Sequence, residues 1–127
     1  MIAVDTSALM AIVLREPGAQ DCAAALHAED EVLISAGTVA EALIVAFGRN
    51  VSDQMLRLTE ELEFEVVSVT MATAKRLETI YRRWGKGIHP ASLNFGDCFS
   101  YDVAREHGCK LLYVGDGFSK TDIESVL

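Results

Sequence analysis

Hydrophobic positions along the chain follow two rhythms: short unbroken runs, and longer stretches that return every three or four residues. Ile2–Val4 is a short, fully apolar run that predicts a buried strand, and Ser7–Leu14 carries a helical repeat. Glu16-Pro17-Gly18 breaks the chain before an alanine-rich helix over Gln20–His27. Glu31–Ser35 predicts a second strand, and Gly37–Phe47 an apolar helix ended by Gly48. Ser52 is positioned to cap a helix over Asp53–Glu63, whose apolar side holds Met55, Leu56, Leu58 and Leu62. Glu65–Val69 is rich in valine and predicts a third strand. Thr70 caps an amphipathic helix running to about Trp84. A polar loop, Gly85–Leu93, leads to a helix over Gly96–His107, which Gly108 stops before a fourth strand at Leu111–Val114.

Short apolar strands alternating with helices imply a parallel sheet covered on both faces. Ligands in such sheets gather beyond the carboxyl ends of the strands. At 127 residues, half of them hydrophobic and 24% charged, the chain reads as one globular α/β domain over residues 1–127. Its net charge of −8 excludes a basic protein that coats nucleic acid, but not an enzyme that holds nucleic acid through metal ions. Cys22, Cys98 and Cys109 form no CxxC pair, which argues against zinc and redox chemistry and predicts small buried hydrophobes. No run approaches the ~20 apolar residues of a membrane span. No basic residue precedes the apolar stretch 6–14, so no secretory signal is predicted and a cytoplasmic location is expected.

Four carboxylates stand where this pattern calls for apolar or neutral residues. Asp5 is the only charge between Met1 and Leu14, and Glu41 interrupts Val39–Phe47. Asp97 opens the helix after Asn94-Phe95-Gly96, and Asp116 follows the fourth predicted strand. An ionised carboxylate buried without a partner costs several kcal/mol. The three aspartates could serve as helix caps or turn residues. Glu41 could not, because mid-helix it has no free backbone amide to accept. Two acids at strand ends and two on helices starting near the same edge predict one shared site. No lysine or arginine lies beside them in sequence, so Mg²⁺ or Mn²⁺ is the expected counter-charge for an oxygen-only cluster. Asp102 lies roughly 140° around the helix from Asp97 and is expected to be solvated or to pair weakly with Arg105.

The segments Ile2-Ala3-Val4-Asp5-Thr6-Ser7-Ala8-Leu9-Met10, Ile34-Ser35-Ala36 with Glu41, Tyr81 through Tyr101, and Gly115-Asp116-Gly117-Phe118-Ser119-Lys120-Thr121-Asp122-Ile123 resemble the PIN-domain ribonucleases. Within them, they resemble the VapC toxins of bacterial toxin–antitoxin systems. The resemblance implies a three-layer α/β domain with a central parallel sheet of four or five strands. It also implies a metal-binding quartet of Asp5, Glu41, Asp97 and Asp116, supported by Thr6. The implied activity is Mg²⁺- or Mn²⁺-dependent endoribonuclease, in a homodimer inhibited by a cognate VapB-type antitoxin. Gly117 stands where relatives often carry an acid, and Val114 where many carry a polar residue.

Binding RNA against a net charge of −8 requires a local basic patch. Arg82, Arg83, Lys86 and His89 supply a candidate, with a solvated helix end as the plain alternative. Trp84 is expected to pack in the core or an interface rather than stack on a base. Two other readings compete: a PIN-like fold retained only for binding, and a phosphoacceptor receiver-like domain. The receiver needs an acidic pair after the first strand, where Thr6-Ser7 follows Asp5, and an aspartate after the third, where Thr70-Met71 stands.

Overall fold

A computed structural model of residues 1–127 orders the chain as β1 (Ile2–Val4), α1 (Thr6–Val13), α2 (Ala19–Ala28), β2 (Val32–Ser35), α3 (Ala36–Gly48), α4 (Ser52–Glu61), β3 (Glu65–Val67), α5 (Met71–Trp84), α6 (Phe95–Glu106) and β4 (Lys110–Leu112). A 3₁₀ turn at Phe118–Lys120 follows. All strand pairings are parallel, in the order β3-β2-β1-β4. Near the chain end, Ser125 makes a single parallel bridge to Leu111, a rudimentary fifth strand.

Side chains alternate across the sheet, as a pleated strand requires. Ile2, Val4, Val32, Ile34 and Leu112 enter a core with α1, α2, α3 and α4. Ala3, Leu33 and Leu111 enter the opposite core with α5 and α6. This is the expected three-layer α/β domain. Trp84 is buried in the second core, where its Nε1 donates to the Tyr101 hydroxyl at 3.2 Å.

Several boundaries differ from the sequence reading. Ser52 is the first residue of α4 rather than its cap; Val51 holds that position, with no side-chain hydrogen bond. By contrast, Thr70 does cap α5, exchanging hydrogen bonds with Thr73. The third strand ends at Val67 and the fourth at Leu112. Asp116 is therefore four residues past β4 rather than directly after it. Cys22 and Cys98 are buried, whereas Cys109 is only half-buried.

From β1 the chain proceeds outward through β2 to β3, then returns to place β4 on the other side of β1. The carboxyl ends of β1 and β4 thus flank the point where strand order reverses, the usual place for a ligand crevice in an open α/β sheet.

Candidate active site

Asp5 follows β1, where its backbone N–H donates to Leu112 O at 3.0 Å and its side chain turns back to cap α1. Oδ2 accepts from the Ser7 amide at 3.0 Å and the Ser7 hydroxyl at 2.7 Å. Oδ1 accepts from the Ser100 hydroxyl of α6. The Ser7 oxygen also accepts from the Val114 amide at 3.0 Å, tying the chain beyond β4 to this corner. Only 3% of Asp5 is exposed, so hydroxyls rather than water solvate its carboxylate.

Glu41 sits mid-way along α3, and the Thr6 hydroxyl donates to its Oε1 at 2.6 Å. Thr6 is itself buried, so its hydroxyl holds Glu41 rather than facing open solvent. The Glu41 carboxylate lies against the first turn of α6, where residue 96 is glycine. A Cβ there would stand 1.8 Å from Glu41 Oε2. Reciprocally, a Cβ at Gly37 of α3 would stand 2.5 Å from the Phe99 ring of α6. Two glycines therefore let the starts of α3 and α6 meet closely enough to bring Glu41 beside Asp97.

Asp97 and Asn94 form a reciprocal cap on α6. The Asp97 amide donates to Asn94 Oδ1, and the Asn94 amide to Asp97 Oδ2, both at 2.9 Å. Burial pushes the half-buried Asp97 carboxyl up to about 6, and the charges of Asp5 and Glu41 add to that rise against the opposing Asn94 bond. No lysine, arginine or histidine lies within 4 Å of Asp5, Glu41 or Asp97. The three carboxylates do not close into a ready-made three-ligand cage. Each is instead held by a donor of its own.

The other expected residues lie elsewhere. Asp116 is exposed on a turn, after Gly115 at φ +108°. Gly117 has an ordinary negative φ of −59°. Arg82 pairs with Glu78 at 2.8 Å, and Arg83 lies over the Trp84 ring at 4.5 Å and 3.8 Å from Asp122. Lys86 is exposed and pairs with no carboxylate. His89 Nδ1 accepts from the Ala91 amide at 3.0 Å, with its ring edge-on to Trp84. Asp102 is neither solvated nor paired with Arg105. It is buried and accepts two bonds from Arg76 of α5, at 2.7 and 3.1 Å, while Arg105 goes to Asp122 at 3.0 Å. Sequence reasoning missed Ser7, Ser100 and Thr38, because hydroxyls at helical positions carry no distinguishing signal of their own.

The PIN domain family model matches residues 2–124. Ribonuclease VapC36 of Mycobacterium tuberculosis is 43% identical over 125 residues, covering 95% of this chain and 90% of the relative. Ribonuclease VapC30 of the same organism is 36% identical over 126 residues, covering 97% and 96%. Among solved structures, the sarcin-ricin-loop-cleaving toxin VapC20 of Mycobacterium tuberculosis superposes with a TM-score of 0.82 at 17% identity, covering 99% of this chain and 98% of that one. A toxin–antitoxin complex from Klebsiella pneumoniae contains a chain that matches with a TM-score of 0.70 at 18% identity, covering 96% and 93%. These matches set aside the receiver-like alternative. On the family match over residues 2–124 and these near full-length relatives, the chain belongs to the PIN-domain family and, within it, to the VapC ribonucleases.

Proposed function

We propose that this protein is a Mg²⁺- or Mn²⁺-dependent endoribonuclease and the toxin of a toxin–antitoxin pair. The observation that carries the reading is three carboxylates, Asp5, Glu41 and Asp97, gathered at the β1/β4 crevice with no cationic side chain in reach. Structural carboxylates are normally paired; these repel one another. The donor set fits a hard divalent cation, because it contains only oxygen. An incomplete cage is also in keeping with Mg²⁺, which commonly takes one or two carboxylates and retains several waters. When bound, such an ion lowers the pKa of water and offsets charge on the phosphoryl oxygens.

The chain's own residues divide the remaining work. Ser7 and Ser100 fix both oxygens of Asp5 in one orientation. Asn94 occupies Asp97 Oδ2 and leaves Oδ1 without a protein donor. Thr6 occupies Glu41 Oε1 and leaves Oε2 free to accept a hydrogen from the attacking water. Asp116, on its exposed turn, serves as an outer ligand. Lys86, which pairs with no carboxylate, is the proposed RNA contact of the basic cluster; Arg82, Arg83 and His89 are held by Glu78, by Trp84 and Asp122, and by Ala91.

A VapB-type antitoxin and a second copy of the chain are the proposed protein partners. Ile44 and Phe47 of α3 and Phe95 of α6 are more than 70% exposed and offer an apolar surface beside the acids. No helix is long and apolar enough to cross a membrane; the cytoplasm is the proposed location.

Metal titration of RNA cleavage tests the reading. Asp97→Ala should abolish cleavage at every Mn²⁺ concentration. Asp116→Ala should raise the half-maximal Mn²⁺ concentration and recover partly at saturation. Superimposable titrations of the two variants would contradict the assigned roles, and near wild-type cleavage by Asp97→Ala would overturn the mechanism.

A further inference from the structure

Thr38 and Ser100 are wholly buried hydroxyls with 0% and 1% exposure, and their oxygens lie 3.3 Å apart. A serine has one hydroxyl proton, and Ser100 donates it to Asp5 Oδ1. Its oxygen can then only accept from Thr38, so the donor direction is set: Thr38 to Ser100 to Asp5. Thr38 precedes Glu41 by three residues on α3, and Ser100 follows Asp97 by three on α6. Each hydroxyl is therefore one helical turn from an acid on its own helix. Gly37 and Gly96 lie on the same two helices, where an added Cβ would press on the Phe99 ring and on the Glu41 carboxylate respectively.

We propose that Thr38 and Ser100 are positioning residues, a two-hydroxyl relay that orients the Asp5 carboxylate and registers α3 and α6 against β1. Three acids from three elements are useful only in fixed mutual register, and the glycine contacts supply proximity without direction. The relay supplies direction, in a dry setting where successive hydrogen bonds polarise one another. Its effect on metal rests on the site proposed above; its nested energetics do not.

The test is a double-mutant cycle on the full chain, with Ser100→Ala, Thr38→Val and the double variant, and Thr38→Ser as the rescue. Urea unfolding in EDTA and Mn²⁺ affinity by titration calorimetry are both measured. Ser100→Ala removes a hydrogen bond to a charged group and should weaken Mn²⁺ binding by roughly 10- to 100-fold. Thr38→Val keeps the shape, removes one neutral bond and should weaken it by roughly 2- to 10-fold. Thr38→Ser should restore wild-type affinity. Because Thr38 reaches Asp5 only through Ser100, adding Thr38→Val to Ser100→Ala should weaken Mn²⁺ binding no further, and its cost in urea should shrink likewise. Additive effects in the cycle, or Mn²⁺ affinity unmoved by Ser100→Ala, would overturn the relay. A wild-type protein that binds no Mn²⁺ but still shows nested losses in EDTA would sink the metal-site reading and leave the relay standing.

Discussion

Replacing Asp97 with asparagine removes its charge but keeps an oxygen able to accept from the Asn94 amide. In the native protein burial and the neighbouring acids hold the Asp97 carboxyl at about 6, against an ordinary 3.8. The folded state therefore binds more protons than the unfolded state between about pH 4 and pH 6, and stability falls as pH rises through that window. Above about 6 the loss is complete; below about 4 it vanishes. At about 1.4 kcal/mol for each tenfold change in proton affinity, the full span is worth roughly 3 kcal/mol. Water reaches the half-buried side chain and screens it, so about 1–2 kcal/mol is the expected cost. Metal-free Asp97→Asn should thus melt higher than wild type at pH 7.5, by roughly 4–8 °C for a domain of this size. At pH 4 the two melting curves should nearly coincide. Mn²⁺ at pH 7.5 should then raise the wild-type melting temperature, by roughly 2.7 kcal/mol of stability at 100 times its dissociation constant, and leave the variant unmoved. Thermal melts in EDTA from pH 4 to 8 make the measurement. A variant less stable than wild type at pH 7.5, or a difference constant across pH, would refute the argument from clustered charge.

Gly96→Ala, with its added Cβ 1.8 Å from Glu41 Oε2, should displace that carboxylate and cut cleavage about a hundredfold, the scale of a 1 Å misplacement, while thermal melts stay near wild type. Asp102→Asn should cost about 2–3 kcal/mol in urea unfolding, because Arg76 loses its buried carboxylate partner. Lys86→Ala should flatten the salt dependence of RNA binding by about 0.7 in the log–log slope, and adding Arg82→Ala should change it little, since Arg82 is held by Glu78. RNA-binding titrations from low to physiological salt measure that slope.

Asp5 and Glu41 were legible because each breaks an apolar run, where a charge needs a reason that local sequence can expose. The parallel layers were legible for the same cause: Ile2–Val4 and Val32-Leu33-Ile34 are apolar on both faces and must be covered on both. What stayed hidden depends on contacts between distant segments. Asp102 finds Arg76 twenty-six positions away, a pairing that spacing along one helix cannot reveal. Ser100 reaches Asp5 across ninety-five positions, and nothing in its own neighbourhood marks it. The Arg82–His89 cluster looked like one patch because its residues are adjacent. In space Arg82, Arg83 and His89 are occupied by Glu78, Trp84 with Asp122, and Ala91 respectively. Ser52 was a poor cap because the preceding loop already sets the helix start, leaving Ser52 inside the first turn.

If the clustered carboxylates at the β1/β4 crevice cut RNA with a divalent ion, cleavage must require both the ion and Asp5. The most direct measurement is cleavage of a structured RNA by the purified protein, in Mn²⁺ and in EDTA, for wild type and Asp5→Asn with matched circular-dichroism spectra. Wild type should cleave internally in Mn²⁺ alone, and the variant in neither condition. Cleavage that persists in EDTA, or at near wild-type rate in Asp5→Asn, would contradict that requirement.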